Sequence, residues 1–396
     1  MQPLRKNLRF QLFWVGSAAS ELGTTLTWLA YPLVVLALTG SPAQAGLLGA
    51  VGLASGMLFA LPAGVLVDRW DRRRVLLGAD LVRAATMGSV ALAAFTGHLT
   101  LPHLVAVSIV NGIAGALFSP AHTASLRALV PGEQLPSAYA QEQTREHAAG
   151  LAGPPLGGLL FAAGRAVPFL VDAISYLVSF VCVAFARVPR HAAEPAPRQN
   201  MFTGIAESVR WMWGQRLLRA ICGLALVVNL AFNAIMLPLI VFIGSPVQVG
   251  LAMACLGVGG LVGAALSGRL TRLLPPGRLM LAVCWYLTLV APLTVLPLGP
   301  FWPPVVLFVC GLGIPAVNIV LSVEVARAAP DHMMGRVQSV LNVATMGITP
   351  LAPLVGGLLT QYGGAVVAIL VLGGYLAVCC ALASLSPALR RTLETV

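Results

Sequence analysis

Charge is what this chain has least of. Asp, Glu, Lys and Arg make up 9% of its 396 residues, while 58% are hydrophobic and the mean hydropathy is +0.89. The apolar fraction of a soluble globular chain lies near half or below, so a soluble fold is excluded. Lysine is almost missing. Of the 24 basic residues only Lys6 is not arginine, a bias that fits the coding of a high-GC bacterium and says nothing about function. No Gly-rich loop ending in Gly-Lys-Ser/Thr occurs, which excludes intrinsic ATP-driven work. Histidines and cysteines form no ligand-spaced cluster, and no nucleophile–base arrangement is evident, so no metal, no cofactor and no embedded enzyme is expected. All seven cysteines (Cys182, Cys222, Cys255, Cys284, Cys310, Cys379, Cys380) lie in apolar runs, where a thiol behaves as a small hydrophobe. The net charge of +11 gathers on no Lys/Arg-rich face, so nucleic acid is not an expected partner. A basic lead precedes an apolar run too long for a signal peptide, and the first helix is expected to remain as an anchor.

What is there is a series of apolar windows, each near the ~20 residues that a spanning helix needs. Twelve can be drawn: 10–38, 43–67, 75–97, 102–121, 138–163, 166–186, 217–243, 247–268, 279–298, 303–325, 337–360 and 365–386. With a cytoplasmic N-terminus, 21 of the 24 Lys and Arg residues fall on the cytoplasmic side; Arg83 and Arg145 lie within helices and only Arg165 faces out. That asymmetry is the positive-inside pattern, with both termini cytoplasmic. The longest polar stretch, 187–216, divides the chain into an N-terminal half (1–186) and a C-terminal half (217–396). Its first part is a Pro-rich linker. Its second part sets Ile205, Val209, Met212 and Trp213 on one face, as in a short interfacial helix.

Between the second and third spans, Gly64-Val-Leu-Val-Asp68-Arg69-Trp70-Asp71-Arg72-Arg73-Arg74 puts six charges into seven positions. Such a cluster cannot lie in hydrocarbon and reads as a tight cytoplasmic turn. The glycine, the Asp-Arg four residues later and the basic triplet resemble the cytoplasmic signature between helices 2 and 3 of the major facilitator superfamily. The two halves also repeat. Gly40-Ser41-Pro42-Ala43-Gln44-Ala45-Gly46-Leu47 matches Gly244-Ser245-Pro246-Val247-Gln248-Val249-Gly250-Leu251 at an offset of 204 residues, and Gly157-Gly158 matches Gly356-Gly357 at 199. The 204-residue offset carries Gly64 onto Gly268 but Asp68 onto Arg272, so the acidic residue is kept in one loop only. Two six-helix halves related in parallel are what the superfamily shows. The resemblance therefore implies an all-α membrane protein of twelve transmembrane helices in two pseudo-symmetric six-helix halves.

The resemblance also assigns roles. In the loop, Asp68, with Arg69 and Arg73, would latch the cytoplasmic side against the other half, and Gly64 would let helices approach closely; Arg72, Arg73 and Arg74 otherwise read as a topogenic cluster. The fifth span holds Ala149-Gly150-Leu-Ala-Gly153-Pro154-Pro155-Leu-Gly157-Gly158, which resembles the antiporter signature of exporters, with Ala149 in place of a glycine. A packing kink is the plainer reading of the same residues, since prolines bend a helix and glycines admit a neighbour.

Ionisable residues inside the membrane are costly and are functional candidates by default. Glu21 lies about eleven residues into the first span, roughly 16 Å at ~1.5 Å per residue, near the bilayer centre. There it would bind a proton or a cationic substrate. Asp172 reads as structural, Asp80 and Arg83 as an i,i+3 ion pair, and Glu142, Arg145 and Glu146 as mutually neutralising. Glu324 and His122 sit at the cytoplasmic ends of their spans. Cavity-facing helices of the superfamily are the first, fourth, seventh and tenth, which here carry Asn111, Asn229 and Asn233, and Asn318 with Ser322. These amides serve either a substrate or one another. The cavity is otherwise apolar, so an amphipathic solute fits it better than a sugar or a phosphate.

Where drug exporters of the superfamily carry Arg and Gln-Gly on the fourth helix, this chain has Ser108 and Asn111-Gly112. Thr39-Gly40-Ser41, Asp80-Leu-Val-Arg83 and Gly335-Arg336-Val337-Gln338-Ser339 instead resemble the branch of enterobactin exporters and macrolide and multidrug efflux proteins. The expected function is export of a small amphipathic or hydrophobic compound, a drug or siderophore, by proton antiport across a bacterial inner membrane. The expected partners are that solute, protons and the lipid bilayer, and the expected state is a monomer. An importer or a lysophospholipid flippase on the same fold is the alternative.

Overall fold

The computed structural model describes residues 4–189, 214, 216–273, 276–328 and 347–385. Apart from three short 3-10 turns, its regular structure is helical: α1 Leu8–Thr39, α2 Pro42–Arg69, α3 Arg72–Phe95, α4 Leu101–Leu129, α5 Leu135–Ala163, α6 Val167–Ala186, α7 Arg216–Ala234, α8 Met236–Ile243, α9 Pro246–Leu273, α10 Pro276–Val290, α11 Trp302–Ala328 and α12 Leu351–Leu385. Among the described residues ten helical stretches are long and apolar enough to cross a membrane. The stretch Gly223–Ile243 joins α7 to α8, and α12 counts once although Gly364 (φ 79, ψ 164) breaks it into two arms. Helix α5 is not among the ten, and it carries Glu142, Arg145 and Glu146.

The repeated Gly-Ser-Pro is a helix stop followed by a helix start. Gly40 ends α1 with φ 64, a left-handed conformation that suits glycine; Ser41 accepts a hydrogen bond from Gln44 N; Pro42 opens α2. In the second copy Gly244 ends α8 with φ 72 and Pro246 opens α9. Asp71 caps α3 by accepting from Arg73 N at 3.0 Å. The sequence points to one span over 217–243, and the structure divides it at Ile235. Pro238 has no N–H to give the Ala234 carbonyl, and Gly356 of α12 packs against that freed oxygen.

The chain divides into two compact units, Met1–Pro195 with Val249–Leu251, and Ala196–Gln248 with Ala252–Val396. In the first, α1 packs on α6 and α5, α2 on α4, and α3 on α4 and α6. In the second, α12 packs on α7, α8 and α10, and α10 on α11. Without a hydrophobic drive between helices in lipid, close packing uses small residues. Gly52, Ser55 and Gly56 meet Ser108 and Gly112 between α2 and α4, and Gly259 and Gly263 meet Phe308, Gly311 and Leu312 between α9 and α11. Large apolar side chains such as Leu58, Leu61, Leu92 and Phe185 point outward, while Asp80, Ser125, Asp172 and Ser179 are buried. The interfacial helix expected over 202–213, the first residues of the eleventh span (337–346) and the Gly335–Ser339 motif lie outside the described residues, as do the side chains of Ser322, Glu324 and Arg327.

Candidate functional site

Helix α5 is seated on α1 through the Gly-Pro-Pro segment. A Cβ at Gly153 would overlap Thr25, and one at Gly157 would stand 2.5 Å from the Leu26 carbonyl oxygen. Pro154 and Gly158 are buried beside them. Thr25 donates to the α5 backbone at Ala149 (3.1 Å) as well as to its own helix. Glu21 lies one turn before Thr25 on α1. It is half-buried, and its carboxylate makes no hydrogen bond or ion pair with a described residue.

A second polar group lies further along α1, α4 and α5. His122 is held between the rings of Phe13 and Phe118, at 4.5 and 5.8 Å between centroids. Its Nε2 is 2.8 Å from Ser17 Oγ and 3.6 Å from Glu142 Oε2. Arg145 pairs with Glu142 at 3.0 Å and reaches Glu146 at 3.9 Å. His122 is thus inside its helix rather than at its end, because α4 continues eight residues past the expected end of its span, to Leu129.

A third group joins α1, α3 and α6. Asp172 is fully buried and accepts from Thr27 (2.8 Å) and Ser175 (3.3 Å). Arg83 lies 4.2 Å over the Tyr176 ring and donates to Thr24, which bonds the Tyr176 hydroxyl. Asp80 accepts from Ser179 at 2.7 Å. The Asp80–Arg83 ion pair suggested by their spacing does not form within 4 Å; partners from other helices win both side chains. This group ties three helices together, which fits a structural Asp172.

The charged turn is half engaged. Arg73 donates from Nη2 to the Ala184 carbonyl at 2.9 Å, satisfying one of the open carbonyls at the end of α6. Asp68 and Arg69 are exposed and make no hydrogen bond or ion pair with a described residue. No described atom lies within 4 Å of a Cβ built on Gly64, so the close approach suggested for that glycine is absent here.

The amides are occupied locally. Asn111 donates to Thr86 Oγ1 (2.9 Å) on α3 and to the Val107 carbonyl (3.0 Å), tying α4 to α3, while its Oδ1 is buried without a described partner. Asn229 and Asn233 each donate to the carbonyl four residues back, Ala225 and Asn229, at 3.1 and 2.8 Å. Asn318 is exposed on α11. The structure therefore gathers Glu21, Gly153, Pro154 and Gly157 along one seam, while Asn111 of the same unit is held by α3 and its own helix. The site it adds is Ser17–His122–Glu142–Arg145. Its sequence signal was the Glu142/Arg145 spacing of three; only the fold brings Ser17 and His122 to them.

The profile of the Major Facilitator Superfamily matches residues 13–349. The chain belongs to the major facilitator superfamily. It is similar to the multidrug efflux pump Tap of Mycobacterium tuberculosis H37Rv, 26% identical over 376 residues, 89% of this chain and 87% of Tap. It is 26% identical over 367 residues to the enterobactin exporter EntS of Salmonella choleraesuis (90% and 86% of the two chains). Macrolide efflux protein A of Streptococcus pyogenes is 27% identical over 270 residues, 66% of each chain. Among solved structures, an inward-facing, unoccupied bacterial homologue of the human lysosomal transporter Spinster superposes with a TM-score of 0.73 at 15% identity, covering 100% of this chain and 98% of that one. A bacterial homologue of the iron transporter ferroportin gives 0.73 at 13% identity, with 96% and 100% covered. At such identities the structures speak for the fold alone. As a superfamily member the chain is a multi-pass membrane transport protein with a small-molecule substrate, and not an enzyme.

Proposed function

We propose that this transporter exports a small amphipathic or hydrophobic compound, of the drug or siderophore kind, in exchange for protons by alternating access. The observation that carries the reading is the α1–α5 seam: the signature-like Gly153 and Gly157, with Pro154 buried beside them, press on Thr25 and Leu26, one turn from the half-buried, unpaired carboxylate of Glu21. A carboxylate at that depth is costly unless it is used. Relatives named for multidrug efflux, macrolide efflux and enterobactin export support outward transport of a small compound of the drug or siderophore kind. Glu21 binds the proton or the cationic part of the solute. Asn111, Asn229, Asn233 and Asn318 are the further substrate contacts in this reading. Gly64, Asp68, Arg69 and Arg73, with Gly153, Pro154, Gly157 and Gly158, serve the gating movement. The transporter works as a monomer in a bacterial inner membrane, both termini cytoplasmic, with residues 187–216 linking the halves.

The test is proton movement in energised inverted vesicles challenged with a panel of lipophilic drugs and siderophores, wild type beside Glu21→Gln. A compound that collapses the gradient only with wild type supports antiport through Glu21. Collapse with both proteins keeps antiport and removes Glu21 from it; no response to any compound contradicts antiport for that panel.

A further inference from the structure

We infer that His122 and Glu142 form a second proton-binding site in the first unit, a pair that gains and loses one proton as a unit. Its use in transport rests on the antiport reading; its existence does not. Two observations point to it. The first is a hydroxyl with more partners than hydrogens. Ser17 Oγ lies 2.9 Å from the Phe13 carbonyl and 2.8 Å from His122 Nε2, and it has one hydrogen to give. When Nε2 is bare, Ser17 donates to it. When Nε2 carries a proton, the ring donates to Ser17 Oγ and the hydroxyl turns to Phe13. With Nδ1 keeping its hydrogen in both, the neutral and the protonated ring are satisfied by rotating one O–H bond, with no heavy atom moved.

The second observation is charge. The ionisable groups among the described residues that face the pair can be named. Glu21 on α1 is near enough for its charge to act on Glu142, and Arg145 and Glu146 come from α5. Arg83 on α3 reaches the group only across the Phe118 ring, 5.8 Å from its centroid. Three carboxylates against one adjacent guanidinium leave an excess of two negative charges, and one bound proton halves it. The side chains of Glu142 and Arg145 are 8% and 7% exposed, so little solvent screens the charge on Glu142 itself, whereas Glu146 is 51% exposed and its charge is screened. Arg145 Nε is buried with no described partner, so the guanidinium is not fully used by its two carboxylates. Groups interacting this closely titrate as a pair, and the proton belongs to His122 and Glu142 together. It arrives from water and returns to water.

The experiment uses purified full-length protein in nanodiscs. Infrared difference spectra across pH read the carbonyl band of protonated carboxyl groups, and nitrogen-15 histidine spectra read the ring of His122, identified by its absence in His122→Asn. The expected result is one protonation step seen by both probes in wild type. Glu142→Gln removes its carboxyl signal and shifts the His122 ring titration, and His122→Asn and Ser17→Ala each move the midpoint of the carboxyl step. Should Glu142→Gln fail to fold, the His122 and Ser17 variants decide alone. Titration identical to wild type in His122→Asn and Ser17→Ala overturns the pair. A wild-type step with no drug-driven proton movement in vesicles would overturn antiport while leaving the pair standing; the reverse result would overturn the pair alone.

Discussion

Adding one methyl group at Gly157 tests the α1–α5 seam. The Cβ of Gly157→Ala would stand 2.5 Å from the Leu26 carbonyl oxygen, and ordinary contact begins at 3.4 Å, so the helices must part by about 0.9 Å there. The obstacle is backbone, which cannot rotate away as a side chain can. Overpacking of this kind costs about 1–3 kcal/mol. Alanine in a helix interior returns up to ~1 kcal/mol relative to glycine, so the comparison needs a control with the same gain. Gly150 supplies it: it lies on the same helix, and no described atom is within 4 Å of its Cβ. The difference between the two variants isolates the overlap. At about 2–4 °C per kcal/mol for a domain of this size, Gly157→Ala should melt several degrees below Gly150→Ala. Thermal denaturation of detergent-purified protein, followed by exposure of its apolar cysteines to a thiol dye, measures it. Equal melting temperatures would refute the seam.

Arg73→Gln should lower the melting temperature by losing a charge-assisted bond to the Ala184 carbonyl, worth about 1.5–3 kcal/mol at most, whereas Arg74→Gln, 82% exposed and 3.9 Å from Asp71, should melt as wild type does; equal losses would contradict the capping role. Asp172→Ala removes the carboxylate that Thr27 and Ser175 share and leaves each a backbone carbonyl, so it should cost about 1–3 kcal/mol, read as a lower melting temperature, with Asp172→Asn milder because it keeps one acceptor. Asp68→Asn should leave the melting temperature unchanged, the side chain being exposed, yet reduce drug efflux from cells if Asp68 latches the cytoplasmic side.

Much of the fold was legible because membranes impose simple rules. The apolar windows and the repeated Gly-Ser-Pro could be read without tertiary information, since span hydropathy and helix caps are local properties. Span ends were less legible. The fourth window closes at Ala121 because His122 and Thr123 lower its hydropathy, but helical hydrogen bonding does not stop where hydropathy does, and α4 runs to Leu129. Side-chain pairing was least legible. The i,i+3 spacing of Asp80 and Arg83 considers one helix, whereas Ser179 and Thr24, from α6 and α1, hold them in the fold. At Gly64 a missing Cβ permits close approach but supplies no neighbour, and no described atom stands within 4 Å of that position. Glu21 stood out in sequence as a lone carboxylate in an apolar run, while the His122 group needed three helices to come together.

The most direct measurement of the central claim is solute flux in proteoliposomes under an imposed proton gradient, using a lipophilic drug that responds in the vesicle panel. Antiport predicts drug movement opposite to the proton gradient, reversal when the gradient is reversed, and loss of that dependence in Glu21→Gln. Drug flux indifferent to the gradient, or running with the protons, would contradict it.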